Sequence, residues 1–280
     1  MSDTQPLVSF VIPNHNEERY IAAALESILA QTYTNFECIV VDDGSSDKSP
    51  EILKEYAARD SRIKILTNEK NLRICKTLNR GIEAARGKYI VRMDGDDICY
   101  PTRLERQVQF MEDPQNKNVG VCGSYVDIID KNGDVIGAKQ FPTADLEIRK
   151  AFWFRNPLQH STTIIRKECF DTFGMYDDNF VYVEDLELWM RFGQKFELRN
   201  IPERLVQYRL HGENAVIVHQ KPMIRNILKL RSKTAKNYGY KMNSAARVSF
   251  MAVLIAYILP PSFVLKIFTW LSRSDEGLSH

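Results

Sequence analysis

Asp94, Asp96 and Asp97 place three carboxylates within four residues, directly after the strand-like run Ile90–Met93. Like charges this close repel one another unless a cation lies between them. Hard oxygen ligands of this kind suit Mg2+ or Mn2+, which usually complete their shells with substrate phosphates. The same residues would also serve as a solvated acidic turn before a helix. A second acidic pair, Asp42-Asp43, closes the run Phe36–Val41. A carboxylate there can accept hydrogen bonds from a ribose or a base N–H. A third pair, Glu184-Asp185, opens an amphipathic stretch. It suits either a proton acceptor or a helix first turn that complements the dipole, and residue chemistry alone leaves both open.

These groups need elements that bring them together. Leu7–Ile12 is a short apolar, β-branched run and reads as a buried strand, Phe36–Val41 as a second buried strand, and Arg62–Leu66 and Lys88–Met93 as a third and fourth strand. Between them, Glu17–Gln31, Ser49–Arg59 and Leu72–Arg86 carry apolar residues at helical spacing, with Ser46 or Asp47 as a cap for the second. Pro101 starts a further helix over Thr102–Met111. Such alternation predicts βαβ crossovers and a mostly parallel sheet covered on both faces. Right-handed crossovers put the strand ends on one edge, so PNHNE, DDGSSD and DGDD converge where open parallel sheets bind ligands.

The second half is less regular. Strands are expected at Val119–Ile129, Val135–Lys139 (after an Asn-Gly turn), Thr162–Arg166, Phe196–Ile201 and Leu205–Leu210, with a helix at Glu184–Phe192. His160 could line a pocket or be structural, while Trp153, Phe154, Trp189 and Met190 fit core packing better than sugar stacking.

Several functions are excluded. The first strand lacks G-x-G-x-x-G and the chain has no Walker sequence, which disfavours a dinucleotide or triphosphate loop. The basic residues match no nucleic-acid readout motif. Five scattered cysteines and a start without basic and apolar signal regions predict a reduced, cytoplasmic protein. Net charge is +2, but the charge is unevenly placed: Asn214 to Ser274 contains ten Lys or Arg and no Asp or Glu. Lys221–Lys241 reads as a basic amphipathic helix. Val248–Leu265 has no charge and is broken by Pro260-Pro261, which favours an interfacial or re-entrant hairpin over a span or a buried helix pair. Residues 216–280 are thus expected to touch an anionic membrane surface.

The series VSFVIPNHNEERYI, IVVDDGSSDKS, NEKNLRICKTLNRGIEAARGKYIVRMDGDD, YVEDLELWMRF and YRLHGENA resembles family 2 glycosyltransferases over residues 7–215. The resemblance implies a GT-A, Rossmann-like α/β fold, a nucleotide-sugar donor, Mn2+ or Mg2+, and inversion. It implies a nucleotide-sugar half over about 1–115 and an acceptor half over about 116–215. Pro13, His15 and Glu17 then fall in the loop that cradles the base, with Asp42 and Asp43 at the uracil or ribose. Asn71, Arg73 and Lys76 fall near the diphosphate, with Arg73 where the family usually has glycine. Asp94 and Asp96 match the ribose and metal pair, Asp97 a supporting or capping position, and His211 a position that reaches the metal. Asp185, beside Glu184, matches the base. The expected activity is transfer from a UDP-sugar to a saccharide or lipid-linked acceptor for surface polysaccharide, at the inner face of a membrane. A sugar nucleotidyltransferase and a non-catalytic binding protein are the competing readings.

Overall fold

The computed structural model describes residues 5–211 and 220–240, with residues 244, 247, 248 and 251. Chain order is β1 (Val8–Asn14), α1 (Ile21–Leu29), β2 (Phe36–Asp42), α2 (Ser49–Arg59), β3 (Ile63–Thr67), α3 (Ile74–Ala84) and β4 (Tyr89–Arg92). Then come β5 (Ile98–Cys99), α4 (Arg103–Glu112), β6 (Val119–Ile129), β7 (Val135–Lys139), α5 (Asp145–Ala151), β8 (Ile164–Arg166) and α6 (Lys167–Phe173). Last are α7 (Glu184–Phe192), β9 (Glu197–Arg209) and α8 (Gln220–Asn237).

The strands form one sheet in the order β3-β2-β1-β4-β8-β6-β9-β5, with β7 on β6. The first four are parallel, and their register sets Asn14 beside Asp42 and Asp42 beside Thr67. Val11 pairs with Arg92, so the acidic turn two residues past Arg92 reaches the same rim as Asn14 and Asp42. β8 runs antiparallel to β4 and to β6, which joins the second half to the first as one mixed sheet.

Alternation divides the core. Val8, Phe10 and Ile12 face α1 and α4, while Val11, Ile39 and Val41 face α3 and the α7 side. Each such burial is worth about 1.5–3 kcal/mol. Gly81 lets α3 lie close on the sheet, since a Cβ there would meet Val11 Cγ1 at 2.5 Å.

Departures from the expected elements have local causes. α1 starts at Ile21 rather than Glu17, because Asn16 takes φ +57° and Glu17–Tyr20 form a turn. α3 starts at Ile74, after Arg73 at φ +69°. The two late strands are one, β9, kinked against β6 by register shifts near Tyr125. The second helix has no side-chain cap of its own, but Asp47 Oδ1 accepts from Ser49 N–H at 2.9 Å.

α8 is the expected basic amphipathic helix, and its apolar side lies on the protein. Leu230 and Thr234 are fully buried, and Thr234 Oγ1 donates to Met190 Sδ at 3.6 Å. Lys221, Arg225 and Lys229 are exposed at four-residue steps. The uncharged run 248–265 lies outside the described residues, apart from residues 248 and 251. Among the described residues, no helix is long and apolar enough to cross a membrane.

Candidate active site

The rim of the parallel strands encloses a cleft of about 180 Å3, lined in part by Pro13, His15, Glu17, Asp43, Asn71 and Asp94. β1 ends in Pro13 and Asn14 because the parallel register carries it to the level of Asp42. Asp42 sits just below, 2% exposed, and accepts from Asn14 Nδ2 at 2.9 Å and Ser45 Oγ at 2.5 Å. Asp43 shapes the wall: it accepts from Asn68 Nδ2 at 2.7 Å, Leu72 N–H at 2.8 Å and Arg73 N–H at 2.9 Å. His15 stands exposed at the mouth.

Arg73 takes a backbone conformation that favours glycine. Its φ of +69° and ψ of 168° lie where a Cβ is strained, at a cost of about 1–3 kcal/mol. The two amide acceptors, Asp43 and Asn71, hold it there. Lys76 lies elsewhere: it pairs with Asp178 at 3.4 Å in a second groove on the outer side of α3.

Below the cleft lies the acidic turn. One oxygen each from Asp94, Asp96 and Asp97 falls within 4.8 Å of the others. Asp94 is salt-bridged to the buried Arg92, and its N–H donates to Ser161 Oγ at 2.9 Å. Asp96 Oδ2 accepts from His211 Nε2 at 2.9 Å, and the His211 ring stacks on Tyr20 at 5.7 Å. Asp97 is fully buried, and its Oδ1 accepts from Arg209 N–H at 2.8 Å, which pins the end of β9 to the turn. Glu17 folds back against it: a Cβ on Gly95 would lie 2.8 Å from Glu17 Oε2.

Burial pushes the carboxyls of Glu17 and Asp97 well above the ordinary range, and the neighbouring aspartates add to it. Burial also raises Asp94, against the pull of Arg92. Glu17 Oε2 and Asp97 Oδ2 are buried without a hydrogen-bond partner. Crowded acids with orphaned oxygens are what a bound cation would satisfy, so this donor set fits a hard divalent ion. Asp94, Asp96 and His211 are the residues that would hold it.

Glu184 and Asp185 open α7, just after Tyr182 at φ +72°. Asp185 Oδ2 accepts from Asn156 Nδ2 at 2.5 Å and its Oδ1 from Leu186 N–H at 2.6 Å. Burial raises the Asp185 carboxyl and lifts Glu184 to about 8, with Asp185 the next cause for Glu184. Glu184 Oε2 has no hydrogen-bond partner. Arg92 links the two acid groups: it grips Asp94, and its charge lowers both Glu184 and Asp185.

Sequence reasoning passed over Arg92, Asn156 and Ser161. Arg92 left a signal, a lone charge in the buried strand YIVR. Asn156 left none, because it meets Asp185 across 29 residues. His160 is structural: buried, it meets Tyr176 Oη at 2.7 Å, and burial lowers its imidazole well below the usual value. Trp153 is core and Phe154 is not, at 4% and 51% exposure.

A Rossmann-like half-sheet extended by a mixed second half, with acidic turns on one rim, is the GT-A architecture. TarS of S. aureus, solved in complex with UDP-GlcNAc, superposes with TM-score 0.68 at 20% identity over 90% of this chain and 71% of that one. The mannosyltransferase PcManGT from Pyrobaculum calidifontis, in complex with GDP-Man and Mn2+, gives 0.62 at 16% identity over 96% and 81%. The model of the family described as glycosyl transferase family 2 matches residues 9–186, and the chain belongs to that family. A Haemophilus influenzae protein described as an uncharacterized glycosyltransferase is 34% identical over 87% of this chain and 77% of its own length. The Escherichia coli O-antigen biosynthesis glycosyltransferase WbnJ is 29% identical over 74% and 81%. The protein is therefore a glycosyltransferase.

Proposed function

We propose that this glycosyltransferase is inverting and depends on Mn2+ or Mg2+. It moves a sugar from a UDP-sugar to a saccharide or lipid-linked acceptor in cell-surface polysaccharide synthesis. The observation that carries the reading is the pairing through Arg92 of two unlike acid groups, a crowded turn at the strand rim and a solvent-stripped pair at the start of α7. The donors named for TarS and PcManGT, and the O-antigen role named for WbnJ, support the donor and pathway class.

Asp42 and the neighbouring Pro13 and His15 receive the nucleoside, with Asn71 and Arg73 toward the diphosphate. A divalent ion held by Asp94, Asp96 and His211 would supply charge neutralisation at the leaving diphosphate. Arg92 fixes Asp94 so that its oxygens meet the cleft. At the other end, Glu184 keeps its proton at neutral pH, which leaves one charge on the pair. Asp185 carries that charge, since Asn156 and Leu186 N–H both donate to it. Asp185 takes the proton of the acceptor hydroxyl as that oxygen attacks opposite the leaving group, so one base suffices and the anomeric carbon inverts. Membrane contact, in this reading, is electrostatic and runs through Lys221, Arg225 and Lys229 at the cytoplasmic face.

A donor screen with Mn2+ tests it. UDP release from a UDP-sugar that depends on added metal is expected. Pyrophosphate release from a sugar phosphate and a nucleoside triphosphate, with no UDP release, would overturn it in favour of a nucleotidyltransferase. UDP release untouched by Asp185→Asn would remove the assigned base.

A further inference from the structure

The face beyond Asp185 carries groups that the donor cleft does not use. Phe154 is 51% exposed, next to a tryptophan that is 4% exposed. A large aromatic left in water loses the burial that its neighbour gains, and an exposed ring is a platform for a sugar face. The turn that presents it is held by hydrogen bonds. Phe154 N–H and Arg155 N–H donate to the Ala151 carbonyl at 2.8 and 2.9 Å, and the Trp153 carbonyl accepts from the buried Arg231 of α8. Asn156, which holds Asp185, is the next residue but one after Phe154.

Two cations stand beside this turn. Arg155 is exposed, and Lys139 ends β7 with its Nζ 5.0 Å from the Phe141 ring centre. Asn200 Nδ2 donates to the carbonyls of Pro142 and Pro157 at 2.7 and 3.0 Å, which ties the segment after Lys139 to the segment after Arg155. Burial, and then the charge of Arg155, push the Lys139 ammonium below its ordinary value. Neither cation has an acidic partner among the described residues. Like charges held together without an acid are relieved when an anion joins them.

We propose that Phe154, Arg155 and Lys139 form the acceptor site, and that the acceptor is a sugar carrying a phosphate or diphosphate. The sugar ring lies on Phe154, the phosphate meets Arg155 and Lys139, and the free hydroxyl reaches Asp185. The inference rests on the reading of Asp185 as the base and adds the class of molecule that the base serves.

Titrations of the full chain with UDP and Mn2+ present test it, using three probes. These are a citronellyl diphosphate-linked N-acetylglucosamine, N-acetylglucosamine 1-phosphate and the uncharged methyl N-acetylglucosaminide. The phosphorylated probes are expected to bind about ten-fold more tightly than the uncharged one. Lys139→Ala with Arg155→Ala should remove that difference, and Phe154→Ala should weaken all three probes several-fold. UDP affinity and the melting midpoint should stay unchanged in both variants, and Arg155→Lys should retain most of the phosphate preference. A stronger response to the citronellyl probe marks a lipid diphosphate as the natural source, and equal responses of the two charged probes mark a sugar phosphate. Equal binding of charged and uncharged probes, or variants that bind like the parent, would overturn the proposal. Failure of UDP itself to bind would instead overturn the donor assignment.

Discussion

The acidic turn at residues 94–97 and the acidic pair at 184–185 share a composition and differ in almost everything else. The turn extends from a buried parallel strand and is braced by one cation, Arg92 on Asp94, with the His211 ring on Asp96 and the Arg209 backbone N–H on Asp97. The pair begins a helix and is braced by neutral donors, Asn156 Nδ2 and Leu186 N–H. Burial raises carboxyls in both sets and Arg92 opposes it in both. The turn differs in bringing three carboxylate oxygens within 4.8 Å of one another, and the pair in setting an acid with two donors beside one with an unpartnered oxygen. The first arrangement therefore suits holding a metal ion, and the second suits holding and exchanging a proton. Acidity in sequence names neither role; the neighbours assign it.

Removing the proton acceptor should separate the two most sharply. Asp185→Asn is expected to lower sugar transfer by about 10²–10⁴-fold with little change in UDP affinity, measured by UDP release and by titration. Loss of UDP binding together with activity would mean that the two regions act as one.

Asp96→Asn tests the other side. Wild-type protein should gain about 2.7 kcal/mol at a Mn2+ concentration a hundred times its Kd, and the variant should lose most of that gain in a melting experiment. An equal gain in Asp185→Asn and wild type would complete the contrast.

Glu184 gives a pH signature. Its carboxyl titrates near 8 in the folded chain against 4.5 for the free group, so between those values the folded state holds the extra proton. Its contribution is whole below 4.5 and is lost as pH rises through 8. Wild-type stability should therefore fall relative to Glu184→Gln across that window, by at most about 1.4 kcal/mol per pH unit. Parallel melting curves for the two proteins from pH 5 to 9 would refute the buried, proton-holding pair.

The smallest effect is at the cleft wall. Arg73→Gly should relieve the backbone and stabilise the protein by about 1 kcal/mol in denaturant unfolding. A loss of stability would show that the arginine side chain is held by more than its amide.

Much of this was legible in the chain. Short β-branched runs alternating with amphipathic helices specify a parallel sheet, and polar clusters after three of those runs specify its functional rim. PNHNE, DDGSS and DGDD announced themselves because strand ends are local in sequence. The two-residue strand β5 was too short to leave a pattern, and the break expected between Ile201 and Leu205 is a kink that β6 spans by shifting register. Arg73 stood out as an unusual residue, but its φ became readable only once Asp43 was seen to hold its amide.

The sequence by itself determined which residues could carry charge and which strands would bury, because both follow from residue type and period. Only the tertiary structure decided what each acid faces. Arg92 lies two residues from Asp94 yet also acts on Asp185, Asn156 reaches Asp185 across 29 positions, and His211 meets Asp96 across 115. Proton and metal affinity depend on burial and on charges within a few ångströms, and those distances exist only after the sheet has joined its two halves.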